Sequence, residues 1–214
     1  MSAEHENETR TAPRRFSVED ARARAQAAIR KSEFILSRAF GLLREPKKEW
    51  EQIKAEETTV PNILIGYVAP LAAIPPICDL IGQSLFNYAL QVEFGQAVIR
   101  AIVTWLVTIG LAFFMGVLVN ALAETFEAEK NDLGAQKIAA YSLTPALLSG
   151  FFSLWPPLWW LSLFALAAAV YLVYRGLPIL MRAPEETTRG YTAAVTIGAL
   201  VGLIVLFALA ACVS

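Results

Sequence analysis

Between Ile138 and Tyr174 the chain carries no charged side chain, and Pro156-Pro157 divides that run into two halves. Each half is about one helical bilayer crossing long, which takes ~20 apolar residues. A proline pair breaks a helix, because neither residue donates a backbone N–H and each pushes its predecessor out of the α region. An uncharged run folded back at such a break predicts a helical hairpin inside a membrane. Its polar marks are sparse: Tyr141, Ser142, Thr144, Ser149, Ser153, Ser162, Tyr171 and Tyr174.

Composition extends that reading to the whole chain. At 56% hydrophobic residues over 214 positions, with a mean hydropathy of +0.49, the sequence is more apolar than a soluble domain, where about 45–50% is usual. The expected class is an all-α, polytopic membrane protein. A net charge of −1 conceals a partition: residues 1–60 hold 12 of the 18 Lys/Arg and 11 of the 19 Asp/Glu. A polar helical N-terminal arm therefore precedes an apolar body. Cys78 and Cys212 both fall in apolar segments without disulfide or metal spacing and read as small hydrophobes.

Residues 1–15 are polar, lack the apolar core of a signal peptide, and are expected to be disordered. Residues 16–59 form the arm. Ser17 is placed as an N-cap with Asp20 three residues on, and a helix runs to Leu43 before Pro46 ends it. Phe34, Ile35, Ala39, Phe40, Leu42 and Leu43 with basic flanks fit either a helix in the headgroup region or one packed on the protein's own membrane domain. Trp50 and Ile53 then approach the bilayer, Trp50 suiting the water–lipid boundary.

Residues 60–214 form the membrane body, with spans expected at about 60–82, 97–123, 138–155, 158–174 and 191–213. The first contains Pro61, Gly66, Pro70, Pro75 and Pro76. Lipid offers freed carbonyls no donor, so that span is kinked or unwound with its break facing protein. Arg175-Gly176-Leu177-Pro178 is expected to close the fourth span. Lys and Arg alternate with segment number: the arm, the Lys130–Lys137 connection and the Arg175–Arg189 connection are basic, whereas Asn87–Gln96, the Pro156-Pro157 turn and the C-terminus have none. By the positive-inside rule the N-terminus is cytoplasmic and the C-terminus external.

Chemistry is thinly represented. The only histidine, His5, lies in the arm, and no phosphate loop, metal-ligand spacing or nucleophile elbow is present. Neither enzymatic activity nor a cofactor is expected, and the balanced charge of the arm argues against nucleic acid. Asp79 is the one carboxylate expected inside a span, which makes it a candidate for ligand or ion handling. Its competing reading is a structural pair with Arg100 or plain solvation at the interface. Gly198 and Gly202 are spaced for close helix approach, within the bundle or between copies in a homo-oligomer. Trp155, Trp159 and Trp160 read as an aromatic belt.

Several of these residues together resemble the Yip1 domain membrane proteins in their bacterial form. The resemblance runs from about Gly41 through the fifth span. It rests on Pro46 with Glu49-Trp50 and Ile53, on Gly66-Tyr67-Val68 with Pro70-Leu71-Ala72, and on Ala140-Tyr141-Ser142-Leu143-Thr144-Pro145. Tyr171 with Tyr174, then Gly176-Leu177-Pro178 with Met181 and Pro184, complete it. The resemblance implies five membrane helices and a cytoplasmic N-terminus. Eukaryotic relatives bind Rab-type GTPases and associate with one another in vesicle traffic. Their aspartate-leucine-tyrosine-glycine-proline run is absent from this arm, so Rab binding is not carried over. The reading is a non-enzymatic inner-membrane scaffold or partner-binding protein that uses its arm as contact surface. The alternative is a small-solute or ion permease using the interrupted first span and Asp79.

Overall fold

The computed structural model describes residues 18–86 and 94–212. The expectations for residues 1–15, the Ser17 cap and most of the Asn87–Gln96 connection fall outside them. Among the described residues all regular structure is helical. The chain divides into two compact units, Met1–Ser37 and Arg38–Ser214. In the first, the described residues belong to α1 (Val18–Arg44), with Ile29, Phe34 and Leu36 exposed.

Within the second unit, the end of α1 is two-faced. Arg38, Ala39 and Leu42 are buried, whereas Phe40 and Leu43 are exposed. Positions 38, 39 and 42 share a helical face, so one side of this short stretch packs on its own protein and the other does not. Pro46 starts α2 (Pro46–Ala55) at its first turn, where a missing N–H costs no helical bond.

Among the described residues, four helical stretches are long and apolar enough to cross a membrane: Val60–Gln83, Phe94–Leu122, Leu161–Leu180 and Glu185–Val205. The first is broken as its prolines predict. It comprises α3 (Val60–Ile63), a π segment (Leu64–Val68), α4 (Ala69–Ala72) and α5 (Ile74–Phe86). Pro70 has no N–H for the Gly66 carbonyl, and the preceding turn widens so that Ala69 N–H reaches Leu64 O. The N–H of Ala73 then turns to Leu71 O. A neighbour serves the carbonyl at the break: Trp105 Nε1 on α6 (Phe94–Leu122) donates to Ala69 O at 2.8 Å.

The stretch expected as a span at 138–155 is not one continuous helix. Asn131 caps α7 (Asp132–Ser142) by accepting from Gly134 N at 2.9 Å, and the helix breaks at Leu143 ahead of Pro145. A short α8 (Thr144–Leu148) and a 3₁₀ stretch (Ser149–Leu154) complete the segment. Residues 134–142 are buried throughout. This is a broken segment, enclosed by protein along residues 134–142 and packed on the other broken one, with Phe151 exposed. A Cβ on Gly150 would lie 2.6 Å from Pro75 Cα, and one on Gly82 would lie 2.5 Å from Ser153 O.

The expected closure of the fourth span at Arg175–Pro178 also needs correction. Helix α9 (Leu161–Leu180) runs through Pro178 and stops at Met181, followed by Arg182 in the left-handed region at φ 49°. The last helix, α10 (Glu185–Cys212), begins six residues before the expected 191, with Glu185 and Glu186 in its first turn, where carboxylates favour the helix dipole. Gly198 and Gly202 face α6, with Leu118 and Leu111 in the space a Cβ would take. That spacing serves packing within one chain. Trp155, Trp159 and Trp160 are exposed at the α8–α9 turn.

Candidate functional site: a buried charge cluster at the base of the arm

Helical spacing aims four charges at one another. Glu49 on α2 and Glu56, the residue that ends it, are seven residues apart, near two full turns, and both face the end of α1. There Arg38 donates through Nη1 to Glu49 Oε1 and through Nη2 to Glu56 Oε2, each at 2.7 Å. Its side chain is only 9% exposed, against 13% for Glu49 and 31% for Glu56. Gly41 makes room for the Glu49 carboxylate, which occupies the space a Cβ would need.

The fourth charge comes from α7. Lys137 Nζ donates to the carbonyls of Ile53 and Glu56 at 2.6 and 2.7 Å. These acceptors lie at the C-terminal end of α2, where carbonyls lack helical partners and the dipole is negative, so the ammonium caps that helix. Burial pulls the Lys137 ammonium below the ordinary lysine range, with Arg38 adding to the shift and Glu56 opposing it. Two cations and two carboxylates leave the cluster formally neutral.

An aromatic layer lies beside these charges. Tyr141 follows Lys137 by one helical turn, and the Arg38 guanidinium stands 5.8 Å from its ring centroid. Trp50 meets Tyr141 edge-on at 6.5 Å, and Tyr67 from the π segment meets it at 4.5 Å. Thr144 Oγ1 donates to Tyr141 O at 2.7 Å, bonding a carbonyl at the α7 break. Its single hydrogen is thereby used, so in the 2.8 Å contact with Tyr67 the tyrosine is the donor. Gly176 on α9 lets the backbone approach Trp50, where a Cβ would lie 3.0 Å from the indole.

The cluster gathers several of the residues singled out by resemblance. Pro46 starts α2, Trp50, Tyr141 and Gly176 touch, and Ser142 and Pro145 flank the α7 break. Trp50 requires a correction: it is fully buried against protein, not set at a water–lipid boundary. Pro70 and Tyr171 are exposed, and Pro178 lies within α9. Asp79 and Arg100 form a separate group, with 3.7 Å between them and Gln83 bonded to both, at 2.6 Å to Asp79 and 3.2 Å to Arg100. The Asp79 side chain is 52% exposed.

Sequence reasoning did not single out Arg38, Glu56 or Lys137: it placed Arg38 among the basic residues of the arm helix, Glu56 among the acids leading to the first span and Lys137 in a basic connection. One signal was present. Arg38 adjoins Ala39 and sits one turn before Leu42, a charge within an apolar stripe. Also missed was Tyr191, whose hydroxyl donates to Val119 O while its ring stacks on Phe126 at 5.0 Å.

The Yip1 domain family model matches residues 40–209. Inner membrane protein YohC of Escherichia coli strain K12 is 29% identical over 181 residues, covering 78% of this chain and 90% of the relative. The same protein from Escherichia coli O6:H1 matches to the same extent. No solved structure matches the chain significantly. With its helices long and apolar enough to cross a bilayer, and a family match over most of its length, the chain belongs to the Yip1 domain family of membrane proteins.

Proposed function

We propose that the chain is a non-enzymatic inner-membrane protein that works as a scaffold, presenting its N-terminal arm to cytoplasmic partners. The observation that carries this reading is the charge cluster. Arg38, Glu49, Glu56 and Lys137 bond one another and the end of α2, so the cluster acts as an anchor for the base of the arm. The relative's description as an inner membrane protein supports the location.

In this reading there are five crossings. The broken third segment nearly suffices in length from Ile138 onward: Ile138–Leu148 at 1.5 Å per residue and the 3₁₀ stretch at 2.0 Å amount to roughly 28 Å, against a hydrocarbon core of about 30 Å. The N-terminus is cytoplasmic and the C-terminus periplasmic, as the basic connections indicate. A C-terminal reporter active only in the cytoplasm overturns the count.

The rival is a permease, favoured by the π segment and prolines in the first span, since broken helices often line transport sites. Against it, Asp79 is half-exposed and engaged by Gln83 and Arg100. One comparison separates the two readings: cross-linking capture from native membranes with the full chain and with a chain lacking residues 1–37, which keeps Arg38. Scaffolding predicts specific partners that disappear on truncation. Unchanged capture, together with solute flux in proteoliposomes that Asp79→Asn abolishes, establishes the permease.

A further inference from the structure

A cavity of about 180 Å³ lies among α6, α7, α8, α9 and α10. Its lining includes Met115 and Val119 of α6, Ile138 and Ser142 of α7, Ala169 of α9 and Val195 of α10. Those six are buried, whereas Leu166 of α9 and Leu200 of α10 also line the cavity and are 38% and 42% exposed. The mouth therefore opens between α9 and α10, on the outer surface of the bundle.

Depth and chemistry limit what can enter. On α10 the lining runs from Val195 to Leu203, roughly 15–27 Å along the axis from Glu185. On α9 it covers Leu166 to Val173, the middle of that helix. At that depth a membrane-spanning protein faces hydrocarbon. The walls are almost entirely apolar. Thr196 already donates to Thr192 O at 2.7 Å, and the Ser142 hydroxyl is buried without a partner.

We propose that this cavity is a binding site for a single phospholipid acyl chain that enters between α9 and α10. An apolar cavity of about 150 Å³ in a soluble protein already takes up benzene, and here the surrounding solvent is itself hydrocarbon. A second copy of the chain does not fit, because a helix about 10–12 Å across cannot enter so small a space. The chain's end would rest on Ile138, Ala139 and Ser142, while Lys137 and Tyr141 on another face of the same helix hold the charge cluster. Occupancy thus supports α7 where Pro145 interrupts it. The proposal depends on the chain spanning a bilayer and not on scaffolding, so the two fail separately.

The test uses the full chain in nanodiscs of phosphatidylethanolamine and phosphatidylglycerol carrying a mid-chain diazirine on one acyl tail, with cross-linked peptides mapped by mass spectrometry. Labelling is expected at Ser142, Ala146 and Ala169 as well as on the outward-facing Leu163 and Phe164. Ala169→Phe, which fills the cavity, is expected to abolish labelling at Ser142 and Ala146 while leaving Leu163 and Phe164 unchanged. Ala199→Leu, a second filling variant, is expected to do the same should the first fail to fold. Ser142→Ala is expected to leave labelling intact, because a hydrocarbon tail needs no hydroxyl. Absence of label from the lining in the native chain overturns the proposal. So does its loss in Ser142→Ala, which points to a ligand recognised through a polar group.

Discussion

Replacing Arg38 by methionine isolates the energetics of the charge cluster. The substitution keeps an unbranched apolar stem and removes both ion pairs. Glu49, 13% exposed, loses a charge-assisted bond in a largely dry setting, and a buried charge left without its partner costs about 2–3 kcal/mol at this burial. Glu56, 31% exposed, turns toward water and contributes about 0.5–1 kcal/mol after solvent screening. Together these give about 3 kcal/mol, which for a chain of this size lowers Tm by roughly 6–12 °C. The assay is thermal unfolding in detergent, followed by intrinsic fluorescence and by loss of monodisperse protein. The partner variant is Arg38→Met with Glu49→Met, which removes both members of the more buried pair. Because exchanging a buried ion pair for packed apolar groups is often near neutral, this double variant should recover most of the lost Tm. Lys48→Met, which breaks the exposed Lys48–Glu45 pair, serves as control and should shift nothing. If Arg38→Met melts within 2 °C of the native chain (about 1 kcal/mol or less), or the double variant melts lower than the single one, the anchoring argument is wrong.

Other outcomes follow from the same packing. Gly150→Ala drives a Cβ into the Pro75 backbone, which cannot yield, and should cost about 1–3 kcal/mol; Gly66→Ala, with open space around it, should be neutral in the same unfolding assay. Thr144→Val strands both the Tyr67 hydroxyl and Tyr141 O and should lower Tm more than Tyr67→Phe, which loses one bond worth about 1 kcal/mol. Lys137 binds protons less readily folded than unfolded, so its contribution to stability rises with pH between its lowered pKa and the ordinary 10.5. The Tm difference between the native chain and Lys137→Met should therefore move in the native chain's favour across that window; a flat or opposite trend counts against a buried, charge-disfavoured lysine.

Much of the architecture was legible because a bilayer imposes one-dimensional rules on sequence. Uncharged runs marked the crossings, and prolines marked the breaks at Pro70 and Pro145. The prediction that the first break faces protein is met by Trp105. Exact ends were less legible: Pro178 stays inside α9, since a proline near a helix end removes one bond without forbidding the turn. The site was harder still. Arg38 and Lys137 look in sequence like any solvated charge at a membrane edge, because their burial depends on contacts with residues on other helices. Trp50 illustrates the same limit. A tryptophan beside a span suits the interface by composition, and only the approach of Gly176 makes an interior socket for it.

The lysine cap also bears on how the protein is made. Lys137 lies 84 residues after Ile53, whose carbonyl it binds. At about 5–20 residues per second, roughly 4–17 s of synthesis separate α2 from the ammonium that will seal it. Through that interval two membrane segments emerge while the end of α2 must be served by water. The end of α2 therefore stays unsealed until α7 arrives, and docking of α2 becomes a late event in biogenesis, timed by the ribosome.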